Sequence, residues 1–561
     1  MSYREIFNIA EICAAHGLTD AVLSPGSRCA PLTLSFARHP AITCRIVPDE
    51  RSAAFIALGI AQATFRPVAL ICTSGSATLN FSPAVAEAWF ARVPLLLFTA
   101  DRPPEWIGQQ DGQTIHQYPL YGKHIKKNFN LPVNTTHTDE KWHFNRIINE
   151  ALLEATAPPY GPVHVNVPIR EPFYPTTGEQ LKYETIKTVK VLNHTRDLAQ
   201  DTLSEVQEIW RSAKRKMIVP GQGNIDQSLY EAMARLVDQG EAILPADIIS
   251  NARQVPGALC HHDLFLGQLT SGEKAGLQPD LLITFGDSII SKQLKLFLRE
   301  CPPKEHVHIQ PHGDVADPFQ SLTHIVRALP AQLFSALHGS RNEETFQKAW
   351  NNPETKSGTL INKFLTKGSF GEFRALGKVM EAIPAGWCTH LANSMAVRYA
   401  NFLPFGNGLS VWCNRGTSGI DGSNSTAMGH AMANGKENLL ITGDMAFLYD
   451  RNAFWHRHVP TNLKVIVLNN DGGGIFRMIP GPAALPELET FFETPHGFTA
   501  QNTAMEAGFQ YFTVQNDDEL NRALPRFFNE KNRAIMEIFS DRLENTTIFA
   551  TLKKEIKEAL K

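Results

Sequence analysis

The sequence predicts an α/β protein built from three doubly wound parallel-sheet domains. Three observations carry that expectation. Unbroken apolar runs of four to six residues recur along the chain, as in strands buried on both faces. Helical patterns separate them, giving the βαβα rhythm of a parallel sheet. Polar clusters follow the runs, where such a sheet presents its ligand-binding edge.

Taken in order, the first block (1–175) has strands expected at 21–24, 68–72, 94–98 and 163–167, with helices over 52–64 and 80–91. The stretch 171–198 is rich in Pro, Thr, Lys and Glu without periodicity and reads as a linker. The second block (195–340) has strands expected at 216–220, 242–244 and 280–285. Gly221-Gln222-Gly223 lacks the third glycine and acidic partner of a dinucleotide site, so it reads as a tight βα turn. A polar stretch, 338–367, precedes the third block (365–561), whose strands are expected at 386–390, 409–413, 439–442, 464–468 and 534–538. The first and third blocks share length and rhythm, as two related domains would.

A chain of 561 residues is too long for one core. Its net charge of -3 gives no electrostatic case for nucleic acid or a membrane surface. No apolar run approaches the ~20 residues that span a bilayer, and the first residues do not read as a signal peptide. The eight cysteines are scattered, with no Cys-x-x-Cys pair, which fits reduced thiols in a cytoplasmic protein. His261-His262 and His456/His458 lack a third ligand in register for a metal.

The chemistry concentrates at strand ends. Gly443-Asp444 ends one apolar run, and Asn469-Asn470-Asp471-Gly472-Gly473-Gly474 ends the next. Each alone suits a turn. Together, the Asp444 carboxylate, the Asn470 amide oxygen and a carbonyl near Gly472 supply one face of an octahedral Mg²⁺ (or Mn²⁺) holding a diphosphate. Gly286-Asp287 has no such second half. In the first block, four clusters share the ligand edge: Ser24-Pro25-Gly26-Ser27-Arg28, Asp49-Glu50-Arg51, Thr73-Ser74-Gly75-Ser76-Ala77, and Asp101-Arg102 extended by Asp111-Gly112-Gln113. Glu50 is either a helix-start carboxylate or the acid that a thiamine diphosphate aminopyrimidine needs at N1′. Lys292, Arg398 and Arg415 singly read as solvated charges. Converging on one pocket, they suit substrates bearing carboxylates.

These motifs resemble those of the thiamine diphosphate-dependent 2-succinyl-5-enolpyruvyl-6-hydroxy-3-cyclohexene-1-carboxylate synthases of menaquinone biosynthesis, over nearly the full length. The run Asn414-Arg415-Gly416-Thr417-Ser418-Gly419-Ile420-Asp421-Gly422 is the most diagnostic. Met445 departs from the second glycine that many thiamine diphosphate enzymes carry after Gly-Asp. The resemblance implies the thiamine diphosphate-binding fold: pyrimidine-binding, central and diphosphate-binding domains. It also implies a homodimer or dimer of dimers sharing the cofactor between subunits. The implied activity is decarboxylation of 2-oxoglutarate and 1,4-addition of the resulting succinyl carbanion to isochorismate. The nearest rival is another 2-oxo-acid decarboxylase or an acetolactate-type synthase. By position, the resemblance implies that Glu50 activates the aminopyrimidine and that Asp444, Asn470 and Gly472 hold the metal. Gly26, Ser74, Gly75, Ser418, Ile420, Gly443, Met445, Ile475 and Phe476 would line the cofactor, with Ile420 wedging it into a bent form. Arg398 and Arg415 would clamp the 2-oxoglutarate carboxylates, and Ser394 would lie near the reacting centre. Ser27, Arg28, Arg102, Gln113 and Lys292 would meet isochorismate, with Ile475, Phe476 and Ile479 on its apolar side.

Overall fold

The computed structural model describes residues 3–171, 173–175, 182–192, 198–406 and 408–561. Among them three sheets form, and every strand pair is parallel. The first sheet runs, in spatial order, Thr43–Ile46, Asp20–Leu23, Val68–Cys72, Leu95–Asp101, Val163–Pro168 and Asn128–Asn130. The middle sheet runs His324–Val326, Glu305–Ile309, Leu281–Phe285 and Lys216–Pro220. The third runs Ser410–Trp412, Cys388–Leu391, Asn438–Gly443, Leu463–Asn469, Ala534–Phe539 and Gln510–Val514. Numbered within each, the first and third sheets have the same order: second, first, third, fourth, sixth, fifth. The shared rhythm of those blocks is therefore a shared topology.

Central strands match the apolar runs because helices cover both faces. Every residue of Val68–Cys72 and of Leu95–Asp101 is buried. Strands absent from the sequence reading are mostly polar edges. Thr43–Ile46 leaves most of its residues partly exposed, and Asn128–Asn130 is only three residues long. The expected strand at 242–244 is buried but pairs through a single bridge, Met217 to Ile243. The expected helix over 80–91 is instead Ser76–Leu79 followed by Ser82–Phe90. Pro83 has no N–H to continue the first turn and opens the second helix. The polar stretch before the third block holds the 24-residue helix Glu344–Lys367. Its narrow apolar stripe, Phe346, Trp350 and Ile361, is all that is buried of its large side chains. The expected linker falls partly outside the described residues, and those described between 171 and 198 form no helix or strand.

The first and third blocks share a core. Helix Glu50–Thr64 crosses helix Ser423–Ala433, packing Phe55, Ile56 and Ile60 with Ala427, Met428 and Leu440. The crossing is backbone to backbone. A Cβ on Gly59 would stand 2.1 Å from the Thr426 carbonyl, and one on Gly429 2.2 Å from that of Ile56. The middle block is tied to the third through Asp247, which accepts from Asn401 Nδ2 at 3.0 Å. No helix among the described residues is long and apolar enough to cross a membrane.

Candidate active site

The sheet order sets the site. In both outer sheets the first and third strands are neighbours whose connections leave in opposite directions, and their C-terminal loops emerge side by side. In the first block this joins Gly26 to Thr73: a Cβ on Gly26 would meet the Thr73 side chain at 2.3 Å. The following turn is fixed from behind by an amide relay. Gly75 N donates to Gln117 Oε1 (2.8 Å), Gln117 Nε2 to Asn166 Oδ1 (3.1 Å), and Asn166 Nδ2 to Asp101 Oδ2 (2.9 Å). Gly75 has φ +86° and lies against the Gln113 backbone, where a side chain would intrude at 3.1 Å. The hydroxyls of Thr73 and Ser74 are buried there without partners.

Arg28 is buried, donates to the Ile169 carbonyl (2.6 Å) and lies 4.6 Å over the Phe173 ring. Burial, then the neighbouring Arg102, push its guanidinium below the ordinary value. Arg102 pairs with Asp111 and donates to the Gly112 carbonyl, next in the chain to Gln113. Ser27 and Gln113 are exposed. Glu50 opens helix Glu50–Thr64, but Asp49 is the cap, accepting from Ser52 N at 2.9 Å. The half-buried Glu50 carboxylate keeps one long contact, from Asn80 Nδ2 at 3.3 Å.

The third block supplies the other cluster. Asp444 begins the helix after strand Asn438–Gly443 and is 3% exposed. Its Oδ2 accepts from Gly472 N (2.9 Å) and Asn470 N (3.2 Å), so both strand ends close on one carboxylate. Met445 N donates to Oδ1 at 2.7 Å, and His496 Nε2 lies 3.3 Å from Oδ2. The hydrogen bond to Asp444 raises the His496 pKa. Asn470 Nδ2 donates to Glu372 Oε1 at 2.6 Å, which leaves Asn470 Oδ1 buried with no partner. The Gly472 carbonyl accepts from Gly474 N at 3.0 Å, which leaves its second lone pair free. Carboxylate, orphaned amide oxygen and carbonyl form an all-oxygen set suited to a hard divalent cation. Burial pushes the Glu372 acid up to about 7, with the Asn470 bond opposing.

The neighbouring strands Cys388–Leu391 and Ser410–Trp412 lead at their C-terminal ends to Arg398 and Arg415. Arg415 Nη1 donates to Asn393 Oδ1 (2.9 Å), and Arg398 Nη1 to the Ser394 carbonyl (2.7 Å). Burial and then Arg415 lower the Arg398 pKa, and each guanidinium makes a single hydrogen bond among the described residues, which leaves most of their donors free for an anion. Ser394 and Ser418 hold positive φ, +71° and +62°. Asn393 Nδ2 bridges the Asn414 and Gly419 carbonyls (2.7 and 2.6 Å), shaping the loop that carries Ser418 and Ile420. Glu87, buried in the first block, holds the same loop: its carboxylate accepts from Gly416 N (2.8 Å), Thr417 N (2.6 Å) and Thr417 Oγ1 (2.8 Å). Phe476 packs on Phe492 at 5.7 Å, Ile475 is half-buried and Ile479 is 39% exposed.

Lys292 is exposed at the first position of helix Lys292–Glu300. One turn on, Lys295 is less exposed, bonds the Ile289 carbonyl (2.9 Å) and has its pKa lowered by burial and then Arg415. A cavity of about 720 Å³ where the three blocks meet is lined by Phe65, Arg92, Asp287, Trp412, Lys295 and Arg415. It borders the site only at its cationic edge. Gly221 and Gly286 interlock as tight turns, with a Cβ on Gly221 meeting the Asp287 carbonyl at 2.0 Å. Glu372, Glu87, Gln117 and Lys295 escaped the sequence reading. Only Glu87, a lone carboxylate in the apolar run Pro83-Ala84-Val85-Ala86-Glu87-Ala88-Trp89-Phe90, carried a local signal.

Comparison with known proteins bears on both clusters. Residues 7–120 match the family described as thiamine pyrophosphate enzyme, N-terminal TPP binding domain. Residues 187–386 match the middle domain of thiamine pyrophosphate enzymes, and 393–538 the C-terminal TPP binding domain. The chain is 43% identical to a 2-succinyl-5-enolpyruvyl-6-hydroxy-3-cyclohexene-1-carboxylate synthase of Cytophaga hutchinsonii, over 99% of each chain. Synthases of the same name from Flavobacterium johnsoniae and Bacteroides fragilis are 37% and 36% identical, over 98% and 99% of each chain.

Proposed function

Because the chain belongs to the 2-succinyl-5-enolpyruvyl-6-hydroxy-3-cyclohexene-1-carboxylate synthases, a family of thiamine diphosphate enzymes, we propose that it decarboxylates 2-oxoglutarate and joins the remaining four-carbon unit to isochorismate by 1,4-addition. The observation that carries the donor is the half-buried Arg398 and Arg415 pair, held by the neighbouring Ser394 carbonyl and Asn393 side chain, which a dicarboxylate would neutralise and pyruvate would not need. When bound, thiamine diphosphate supplies the nucleophilic carbon and the sink for the charge left as CO₂ departs.

The chain's own residues do the rest. Glu50 holds and exchanges the proton at N1′ of the aminopyrimidine, a role supported by its freedom from capping. Asp444, the Asn470 amide oxygen and the Gly472 carbonyl hold Mg²⁺ (or Mn²⁺), supported by the orphaned Asn470 Oδ1. Gly26, Ser74, Gly75, Ser418, Gly443, Ile420 and Met445 line the cofactor. Arg28, Arg102, Ser27, Gln113 and Lys292 receive the isochorismate carboxylates, with Ile475, Phe476 and Ile479 excluding water. Ser394 contacts the reacting centre. The working division into 1–175, 195–340 and 365–561 is supported by each sheet drawing its strands from one segment.

The cofactor is shared between two copies of the chain, as a homodimer or dimer of dimers. Supporting this, Glu50 lies amid exposed apolar surface: Leu79 is 47% exposed and Tyr449, under the Arg51 guanidinium, 53%. The eight free cysteines suit a cytoplasmic setting. The direct test incubates the protein with thiamine diphosphate and Mg²⁺ and measures CO₂ from 2-oxoglutarate and from pyruvate, each with and without isochorismate. Release from 2-oxoglutarate that rises with isochorismate is expected. Equal or faster release from pyruvate would reject the donor assignment.

A further inference from the structure

The Asn470 side chain is nearly symmetric in shape, and either end could face the cation position. An amide turned the wrong way would aim N–H donors at a cation and abolish the ligand. Glu372 decides the matter from a helix 98 residues earlier in the chain: its Oε1 takes the Asn470 Nδ2 donor at 2.6 Å, and Oδ1 is left pointing away, buried and unpartnered. Glu372 is itself immobilised. It is 2% exposed at the first turn of helix Glu372–Ala382. Its backbone N–H donates to Asn545 Oδ1 at 2.9 Å, and a Cβ on the preceding Gly371 would stand 2.8 Å from that oxygen. Asn545 in turn donates through Nδ2 to Ser540 Oγ at 2.9 Å. The helix start, the Asn545 brace and the carboxylate form one rigid backing for the amide.

We propose that Glu372 is a positioning residue of the metal site, orienting the Asn470 amide so that its oxygen faces the divalent cation. The proposal rests on the reading of Asp444, Asn470 and Gly472 as ligands. Residues that orient metal ligands from behind are typically worth about 10- to 100-fold in metal affinity. Glu372→Gln keeps an acceptor oxygen in place, whereas Glu372→Met fills similar space and removes it.

The test measures Mn²⁺ binding to the full-length chain, stripped with chelator and resupplied with thiamine diphosphate, by electron paramagnetic resonance of free Mn²⁺. Glu372→Met is expected to weaken binding about 10- to 100-fold, and Glu372→Gln to stay within about threefold of the parent. In an Asn470→Ala background, Glu372→Met should cost nothing further, since its effect runs through that amide. Binding by Glu372→Met within threefold of the parent, or an equal loss in the Asn470→Ala background, overturns the proposal. Should Met at 372 prevent folding, Glu372→Asp retracts the oxygen by one methylene and carries the same criterion. Asp444→Ala separates the two readings: if it leaves Mn²⁺ binding intact the ligand assignment itself fails, whereas if it abolishes binding while Glu372→Met does not, only the role of Glu372 falls.

Discussion

Single side chains carry the chemistry through what their neighbours leave undone. Asp49 caps the helix that Glu50 opens, so the adjacent carboxylate is free of the structural duty that its position suggests. Glu50→Gln should therefore fold normally, with an unchanged circular dichroism spectrum, yet lose turnover by about 10²–10⁴-fold, the usual worth of a positioned proton-transfer group. Near-parental CO₂ release would remove Glu50 from the reaction. Arg415 keeps its Nε buried without a partner and shares one Nη with Asn393. A charged hydrogen bond is worth about 1.5–3 kcal/mol, so Arg415→Ala should raise the 2-oxoglutarate KM on the order of 10- to 100-fold and spare thiamine diphosphate binding, measured by fluorescence titration. The positions of Glu50, Arg415, Asp444 and Asn470 were legible because each sits at or just past a strand end or helix start that the sequence marks, whereas Arg398 lies in the last turn of helix Met395–Ala400. Glu372 was not legible, since nothing near it in the chain hints that its partner lies 98 residues away.

At the level of elements, the loop from Asn414 to Gly422 is held by all three blocks. Glu87 of the first takes three of its donors, Ser288 Oγ of the second donates to Arg415 O at 3.4 Å, and Asn393 of the third spans its two arms. Glu87→Gln replaces one acceptor by an amide N–H₂ that meets the loop's own N–H groups. A buried unmatched donor costs about 1–3 kcal/mol, and the loop should shift with Arg415. The expected outcome is a raised 2-oxoglutarate KM with an isochorismate KM within about twofold, read from initial rates. A proportional rise in both would mean general loosening instead. The loop's composition marked it as functional, but its three anchors belong to segments distant in sequence, which no local pattern can pair.

Across the whole molecule, buried histidines set the response to acid. His164 is held down to about 3 and His390 to about 4 by burial, and His430 lies well below its ordinary value for the same reason. An unfolded histidine titrates near 6.5, so between that pH and about 4 the unfolded chain binds more protons and stability falls as pH falls. Asp450 and Glu372, both pushed up to about 7 by burial, oppose this over the same range. With several histidines against them, the melting temperature should drop from pH 7 to pH 4.5, and His164→Gln should flatten that slope in a calorimetric series. A slope unchanged by the substitution would exclude His164 as a contributor. The sequence by itself determined the three α/β blocks, because strands buried on both faces must be continuously apolar and the turns after them must be small or polar. It also marked the residues at those turns. Only the tertiary structure decided which turns meet, through the strand order repeated in the first and third sheets, and which buried groups stand behind them. Hydrophobic burial is written locally in residue type, whereas the pairing of Glu372 with Asn470 or Glu87 with Gly416 exists only once distant segments share a desolvated space.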